Sequence, residues 1–319
     1  MKRTLVLGSL VVVGALSATL AALQQPPAPG GRQGGRGQQA PSAAGLTVDK
    51  LRDNLFVLRG GGGNTAVFIT ANGVVLVDTK IAGWGQPILE RVKELTDKPV
   101  TTIINTHTHY DHVEGNVEFP ATVEVVTHEN TAKLMPEMRE VYGIETPGRN
   151  VFKDNNGRGL PKRTFNDRLT LGSGADRVDL YYFGRAHTGG DAFVVFPTQR
   201  VLHTGDAFPN KGIPIMDANN GGSGVQYPDT IAKVAALPNI DTVITGHNAT
   251  TLAIADVKTY ADFNRAFVDA VRAAKKAGQT IDEVANTWKV PERFLKDGYT
   301  QPPVARLRSN VEVTWMELP

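Results

Sequence analysis

Cysteine is absent from the 319 residues of the chain. This excludes disulfide bonds, thiolate metal sites, cysteine nucleophiles and a lipid anchor attached to an N-terminal cysteine. Any metal site must therefore use imidazole and carboxylate ligands. An excess of charge is also lacking, because 34 Lys and Arg residues against 32 Asp and Glu residues leave a net charge of only +2. Such a balance provides no overall field that would favour nucleic acid as a partner.

The N-terminus carries a long apolar run. Lys2 and Arg3 precede the segment TLVLGSLVVVGALSATLAAL, which ends in small residues near Ala21 and Ala22. This pattern is typical of a secretory signal peptide, so residues 1–23 are predicted to be removed during export to the periplasm or the medium. The run is also long enough for an uncleaved membrane anchor, which is the alternative. After cleavage, no stable membrane association is expected.

The composition changes twice after the apolar run. Residues 24–45, QQPPAPGGRQGGRGQQAPSAAG, contain almost no apolar side chains, so they are predicted to form a disordered linker. From residue 46 the chain has the texture of a globular domain, and 41% of all residues are hydrophobic. One domain is therefore predicted over residues 46–319, with a helical C-terminal extension from about residue 252.

Short apolar runs between Gly and Asn turns predict strands, and apolar side chains at helical spacing predict helices. The predicted strands are NLFVLRG, NTAVFIT, GVVLVDT, VTTIINT, TVEVVTH, DRLTL, RVDLYYFG, DAFVVFP, RVLHTGD and IDTVITG. Helices are predicted at 84–97, 129–140, 228–236, 252–277 and 280–289, and the last thirty residues look less regular. Strands come in two groups, each followed by helix, which predicts an α/β fold with two packed sheets and outer helices, a four-layer αββα sandwich.

Histidine and aspartate cluster where predicted strands end. The stretch HTHYDH follows VTTIINT directly, and three later strands also deliver such a side chain; together these residues are His107, His109, Asp111, His112, His187, Asp206 and His247. In an α/β fold, functional sites form at this edge of the sheet. The pattern therefore predicts that all seven side chains meet at one site.

The spacing within HTHYDH suggests how the ligands divide. If the segment is extended, residues two apart point the same way, so His107 and His109 face one metal ion and Asp111 continues that direction, whereas His112 points elsewhere. The cluster can then offer two His to one ion and an Asp and a His to a second. His187 can complete the first set, His247 the second, and Asp206 can bridge the two ions.

A purely structural role is the alternative for each of these residues. A lone His at a strand end is more often hydrogen-bonded structure than a metal ligand. Five His and two Asp buried together without a metal, however, would carry a large desolvation cost. The set as a whole therefore favours a metal site.

The motifs HTHYDH, AHTGGD, HTGDAF and TGHN resemble, in order and spacing, those of the metallo-β-lactamase superfamily. The segment GGGGNTAVFITANGVVLVDTK is similar to the first strands of that family, with Asp78 in its VDT position, and the resemblance covers about residues 50–250. It implies an αββα sandwich with a dinuclear site, usually of zinc, between the sheets. It also implies that a first metal binds His107, His109 and His187, that a second binds Asp111, His112 and His247, and that Asp206 bridges them.

The resemblance also bears on chemistry. Asp206 resembles the bridging ligand of glyoxalase-II-like thioesterases and lactonases, whereas typical zinc β-lactamases have Cys or a non-ligand there. Lactonases often have Tyr three residues later, where this chain has Pro209. The expected function is an exported metallohydrolase in which a metal-bridging hydroxide attacks a small ester, thioester, lactone or amide. Asp111 is expected to orient that hydroxide and pass a proton to the leaving group.

Three alternatives stay open. The first is β-lactam hydrolysis, and the second is an iron-dependent oxidoreductase or dioxygenase, because zinc, iron and manganese share these ligands. The third is a non-catalytic, metal-stabilised binding module. The substrate-binding residues are unknown, and the loops at 60–64, 143–161 and 207–226 are expected to shape the substrate site.

Several further residues are given structural roles. Lys80 is expected to be a solvated surface lysine rather than a contact to an anionic substrate. Tyr110 is interpreted as a wall residue, His128 as a residue behind the site or at a helix start, and His203 as a core histidine. Asp191 is expected to organise the loop after His187. Segment 217–229 is either a substrate-lining loop or a turn-rich connection.

Overall fold

Residues 41–146 and 148–319, which this computed structural model describes, contain thirteen strands in two sheets. The predicted signal peptide and most of the predicted linker lie outside these residues. The first sheet has the strand order β1-β2-β3-β4-β5-β6-β7. Its strands are β1 (Thr47–Arg52), β2 (Leu55–Arg59), β3 (Thr65–Ile69), β4 (Val74–Val77), β5 (Val100–Ile104), β6 (Glu124–His128) and β7 (Arg163–Phe165).

The second sheet has the strand order β13-β12-β11-β10-β9-β8. Its strands are β8 (Arg168–Leu171), β9 (Val178–Tyr181), β10 (Phe193–Phe196), β11 (Val201–His203), β12 (Thr242–Ile244) and β13 (Leu252–Ala253). Both sheets are mixed: β1 to β4 form an antiparallel meander that continues as the parallel strands β4 to β7, and β11 pairs in parallel with β12.

Nine helices in the described residues cover the sheets or connect their strands. They are α1 (Gly85–Leu95), α2 (Tyr110–Val113), α3 (Glu129–Leu134), α4 (Val151–Asp154), α5 (Tyr227–Ala235), α6 (Ile254–Lys276), α7 (Ile281–Thr287), α8 (Glu292–Lys296) and α9 (Val304–Glu317). No helix within the described residues combines the length and apolar character needed to cross a bilayer.

Alternation along the strands creates separate hydrophobic layers. In β2, Leu55 and Val57 point into the core between the two sheets, whereas Phe56 and Leu58 point outwards and pack beneath α1. Because both faces are covered, all four side chains are buried and the strand reads as a continuous apolar run. The outer face of the second sheet packs beneath α5, α6, α7 and α9. The predicted four-layer αββα sandwich is therefore confirmed.

The main difference from the predicted elements lies at the C-terminus. The last residues, expected to be irregular, contain the 14-residue helix α9. Its buried side chains include Leu307, Asn310, Val311 and Thr314, which follow helical spacing, but two of them are polar. This mixture hides the apolar stripe that would have identified the helix. The helix predicted at 129–140 is also shorter, since α3 ends at Leu134, and Pro136 has no N–H group with which to continue it.

The parallel parts of the two sheets place chemistry-bearing residues at one edge. Strands β4, β5 and β6 all end there, as do β11 and β12 of the second sheet. The segments that follow carry Asp78, the HTHYDH motif, Asp206 and His247. The edges of two packed sheets therefore converge on a single site, as the carboxyl ends of parallel strands do in open α/β folds.

Candidate metal centre

The prediction of how the ligands divide assumed that the HTHYDH segment is extended, but the structure shows that it is not. Strand β5 ends at Ile104, residues 107–109 lie in a loop, and helix α2 begins at Tyr110 with His109 as its N-cap residue. The helical turn, and not strand alternation, turns Asp111 and His112 away from His109. The prediction about backbone conformation was wrong, although the predicted side chains do meet.

Four of the predicted ligands form a first cluster. One ligand atom each from His107, His109, His187 and Asp206 lies within 4.8 Å of the others, and all four residues are buried. Nδ1 of His109 lies 3.0 Å from Nε2 of His187. Among the described residues, buried Nε2 of His107 has no hydrogen-bond partner. A buried nitrogen without a partner, facing two other imidazoles and a carboxylate, fits a metal ion of the zinc type.

A second cluster contains Asp111, His112 and His247, whose ligand atoms also lie within 4.8 Å of one another. Nε2 of His247 lies 3.3 Å from Oδ2 of Asp111. The ring of His112 is fully buried, whereas the side chain of His247 is 32% exposed and that of Asp111 is 19% exposed. This cluster is therefore the more accessible of the two.

Asp206 reaches both clusters. Its Oδ1 lies 3.2 Å from Nε2 of His112, and its Oδ2 lies 3.1 Å from Nε2 of His247 and 3.9 Å from Nε2 of His187. The carboxylate thus stands between two sets of imidazoles. This geometry fits a ligand shared by two ions.

Hydrogen bonds from outside the clusters orient four of the rings. Ile215 O can only accept, so Nδ1 of His187 donates to it at 2.7 Å and Nε2 stays free for a metal. Nε2 of His109 lies 2.7 Å from Asp217 Oδ2, which leaves Nδ1 free. Nδ1 of His112 is hydrogen-bonded to Asp78, and Nδ1 of His107 is hydrogen-bonded to Thr106. In both rings this leaves Nε2 free. Such contacts set the tautomer of a metal-binding histidine.

Sequence reasoning missed two of these supporting residues. Asp217 lies 108 positions after His109, and nothing in their spacing connects them. The 217–229 segment was predicted to be either a substrate-lining loop or a turn-rich connection. Its first residue, Asp217, has a further role, because it is hydrogen-bonded to the predicted ligand His109. Thr106, which donates to Asp78 Oδ2 at 2.7 Å, precedes HTHYDH directly and received no role. Its position next to the motif was the only signal available.

The two clusters differ in their affinity for protons when no metal is bound. Burial and then the neighbouring imidazoles hold the pKa of His107 well below its ordinary value, and burial lowers that of His187 to about 4. In the second cluster, the Asp206 carboxylate raises the pKa of His247 to about 10. Burial alone would lower the pKa of His112, but the carboxylates around it raise that pKa well above the ordinary value. His107 and His187 are therefore neutral near pH 7, whereas His112 and His247 hold protons.

Two glycines allow the backbone to approach the clusters closely. A Cβ atom on Gly246 would lie 1.8 Å from Oδ1 of Asp206, and one on Gly63 would lie 2.2 Å from Cε1 of His112. Neither contact is possible for a residue with a side chain. Gly63 N also donates to Asp111 O at 2.9 Å, so the 60–64 loop packs behind the second cluster.

Lys80 is buried, and the expectation of a surface lysine was wrong. Its exposed fraction is zero, and its Nζ donates to Leu58 O at 3.0 Å and to Gly63 O at 2.7 Å. Burial lowers the pKa of the ammonium group to about 7. With no exposed surface, Lys80 supports the 60–64 loop and does not contact substrate.

The predicted structural roles of three other residues are confirmed. His128 is the N-cap residue of α3 and accepts a hydrogen bond from Asn130 N. His203 is fully buried in the core, where it bonds Asn64 O and Gly205 N. Asp191 accepts from N and Oγ1 of Thr188, which organises the loop after His187.

A cavity of about 230 Å³ opens onto the second cluster. Asp111, Asp206 and His247 lie at its metal-binding side, and Tyr110 is a wall residue, as predicted. The predicted loops 143–161 and 207–226 both contribute, whereas the 60–64 loop lies behind His112. The remaining lining residues are His109, Val141, Ile144, Pro209, Asn210, Ile213, Ile215 and Arg306.

Comparisons with known proteins agree with this geometry. The chain is 26% identical over 230 residues to the metallo-beta-lactamase type 2 of Elizabethkingia meningoseptica, covering 66% of this chain and 81% of that protein. It is 27% identical over 224 residues to a hydroxyacylglutathione hydrolase of Nostoc punctiforme, covering 66% and 76%. Its fold is similar to that of a metallo-beta-lactamase from Pontibacter korlensis, with a TM-score of 0.56, 21% identity, and coverage of 69% and 99%.

The sequence profile of the metallo-beta-lactamase superfamily matches residues 58–247, which is more than half of the chain. That range contains all seven predicted ligands and both sheet edges that carry them. The resemblance seen in the motifs is thereby confirmed, and with it the assignment as a metallohydrolase fold with a candidate metal site. The chain belongs to the metallo-beta-lactamase superfamily.

Proposed function

We propose that the protein is an exported hydrolase with two zinc ions, which cleaves an ester, thioester, lactone or amide bond in a small molecule. One observation carries the dinuclear part of the proposal. The Asp206 carboxylate belongs to the first cluster, where Oδ2 lies 3.9 Å from Nε2 of His187, and it also reaches the second, where Oδ1 lies 3.2 Å from His112 and Oδ2 lies 3.1 Å from His247. A single ion at the first cluster would not explain why the ligand atoms of Asp111, His112 and His247 also lie within 4.8 Å of one another.

Zinc ions held at these clusters would lower the pKa of water towards about 7 and polarise the carbonyl oxygen of a substrate. A residue of the chain, Asp111, would orient the attacking water. Asp111 lines the cavity with one carboxylate oxygen 3.3 Å from His247. Burial alone would raise its pKa, but the charges of His112 and His247 outweigh that effect and lower it. Ionised Asp111 can accept a hydrogen bond from an attacking water, take up the proton that the water loses, and pass that proton to the leaving group.

The size of the cavity supports a small substrate. The cavity volume of about 230 Å³ is below the roughly 300–1,000 Å³ of pockets for drug-sized ligands.

Export to the periplasm or the medium is proposed from the signal-peptide pattern in residues 1–23, and the mature chain would act there without a membrane anchor.

Initial hydrolysis rates test the proposal. The zinc-loaded chain without residues 1–23 would be assayed on a chromogenic ester, a thioester, a lactone and a β-lactam, with zinc measured by mass spectrometry. We expect two zinc ions per chain and a rate on at least one of the first three substrates. Cleavage of the β-lactam alone would instead assign β-lactamase activity. An iron absorption band in protein purified without added metal, with no hydrolysis of any substrate, would instead favour iron-dependent redox chemistry.

Two variants separate the site from general stability. His109→Ala removes the Nδ1 that faces His187, so most zinc and most activity should be lost. His128→Asn changes a buried histidine outside the clusters and keeps a side chain that can cap α3, so zinc content should stay unchanged. Full zinc content and full rate in His109→Ala would overturn the site assignment.

A further inference from the structure

A second cavity of about 470 Å³, the sheet-face pocket, is larger than the cavity at the metal centre. Its floor is the outer face of the first sheet, where Ile103 of β5 and Val125 of β6 are paired across the two strands. Phe119 and Val123 complete this floor. Among the described residues, none lines both cavities. The sheet-face pocket is therefore a separate site.

Apolar side chains also form the sides of the sheet-face pocket, and these reach the surface. Pro120 and Ala121 are exposed, and Leu160 and Pro161 are half-buried. Asn116 also lines the pocket, but its amide group is already used in hydrogen bonds within the protein. An apolar ligand segment placed against these sides would remove apolar area from water, which is favourable. The pocket therefore suits the apolar part of a ligand.

Two cations that line the sheet-face pocket have no anionic partner. Arg158 donates to Phe119 O through Nε and Nη2, and Nζ of Lys162 donates to backbone carbonyls of the same segment, 119–123. Within the described residues, neither cation forms an ion pair and no carboxylate lines the pocket, whereas nearby Arg149 and Arg168 both pair with carboxylates. A guanidinium group has five N–H donors, so Arg158 keeps donors for a ligand.

The segment that carries these two cations is basic as a whole. Residues 151–165 contain Lys153, Arg158, Lys162 and Arg163 against a single acidic residue, Asp154. Such an excess of one charge attracts ligands of the opposite sign. The pocket thus combines apolar sides with an uncompensated positive charge.

We propose that the sheet-face pocket binds a small amphiphilic carboxylate of the medium-chain fatty acid type. Its alkyl chain would lie against the apolar sides, and its carboxylate would accept charge-assisted hydrogen bonds from Arg158 and Lys162. A neutral apolar ligand would leave both cations without a partner, and a hydrophilic anion would leave the apolar sides in water. The volume of about 470 Å³ lies within the roughly 300–1,000 Å³ of small-molecule pockets. Binding here does not depend on the proposed hydrolytic activity.

Two ligands of equal chain length test the inference on the zinc-loaded protein. Calorimetry and methyl NMR would compare octanoate with 1-octanol, which carries no charge. We expect saturable binding of octanoate that is tighter than binding of 1-octanol. The methyl signals that should shift are those of Ile103, Val123, Val125 and Leu160. No saturable binding, equal affinity for both ligands, or shifts confined to Val141 and Ile144 in the metal-centre cavity would overturn the inference.

Matched pairs of substitutions separate this pocket from the general charge of the segment. Arg158→Gln/Lys162→Gln should weaken octanoate binding on the order of ten-fold and leave 1-octanol binding unchanged. Lys153→Gln/Arg163→Gln removes the same charge from exposed positions that do not line the pocket, so it should keep the wild-type affinity. Equal weakening in both pairs would overturn the inference. The wild-type comparison of the two ligands decides the inference even if the first pair fails to fold.

Discussion

Asp217 Oδ2 lies 2.7 Å from Nε2 of His109, although 108 residues separate the two in the chain. The same carboxylate accepts hydrogen bonds from Tyr142 N and Asn220 Nδ2, and it is fully buried. Burial alone would raise the pKa of Asp217, but the hydrogen bond from His109 and the others outweigh it and lower the pKa. The ionised carboxylate holds the proton on Nε2, which leaves Nδ1 of His109 for the first metal.

Asp217→Asn should therefore weaken zinc binding at the first cluster by roughly 10- to 100-fold, because the amide no longer fixes the His109 tautomer. Competition with a zinc-sensitive dye would measure the dissociation constant. Asp229→Asn, at an exposed position of the same 217–229 segment, is the control. Equal zinc affinity in both variants would show that Asp217 only stabilises its loop.

Asn310 connects the C-terminal helix to His187. Its Nδ2 donates to Pro214 O at 2.7 Å, and its Oδ1 accepts from Met216 N at 3.2 Å. Ile215, between these two residues, accepts the Nδ1 proton of His187. A side chain on α9 thus holds the backbone that orients a candidate metal ligand.

Asn310→Ala should lower the free energy of unfolding by about 1–3 kcal/mol, since it leaves buried backbone groups without partners. It should also weaken zinc binding, because the Ile215 carbonyl is no longer held in place. Urea unfolding and zinc titration would measure the two effects. Ser309→Ala, at the neighbouring half-buried position of α9, provides the comparison. A stability loss with unchanged zinc affinity would limit Asn310 to packing.

Zinc loading should proceed in two steps with different pH dependence. His107 and His187 have lowered pKa values and need lose no proton near neutral pH, so the first zinc ion should bind with little pH dependence between pH 6 and 9. His112 and His247 have raised pKa values in the metal-free protein and must release protons to bind the second ion, so the affinity for that ion should rise with pH across this range. Zinc titrations at pH 6, 7.5 and 9 check this; parallel pH dependence of both steps would contradict it.

Lys80 should make the stability of the metal-free protein rise with pH. Its folded-state pKa of about 7 lies below the ordinary 10.5, so between these values the unfolded chain binds a proton that the folded chain does not. Stability relative to Lys80→Met should therefore increase from pH 7 to pH 10, by up to about 1.4 kcal/mol per pH unit. Urea unfolding across this range measures the difference, with exposed Lys258→Met as baseline. A flat profile would mean that Lys80 stays charged when buried.

The site was easier to predict than the backbone that builds it. The residue types and order in HTHYDH predicted side chains that do cluster, yet the segment is a loop and a helical turn, not an extended strand. Lys80 illustrates a second limit. Surface exposure is the usual state of lysine, and only the packing of the 60–64 loop over its ammonium group reverses that expectation.

The histidine and aspartate cluster, the two groups of strands and the αββα layers could all be predicted from the sequence. These features depend on residue type and on short-range apolar patterns, which can be read along the chain. The side chains that hydrogen-bond to the candidate ligands from behind could be found only in the folded structure. Asp217 and Asn310 come from segments that are distant in sequence from HTHYDH, and their contacts depend on how α9 and the loops pack against the sheet edges. No local pattern encodes those contacts.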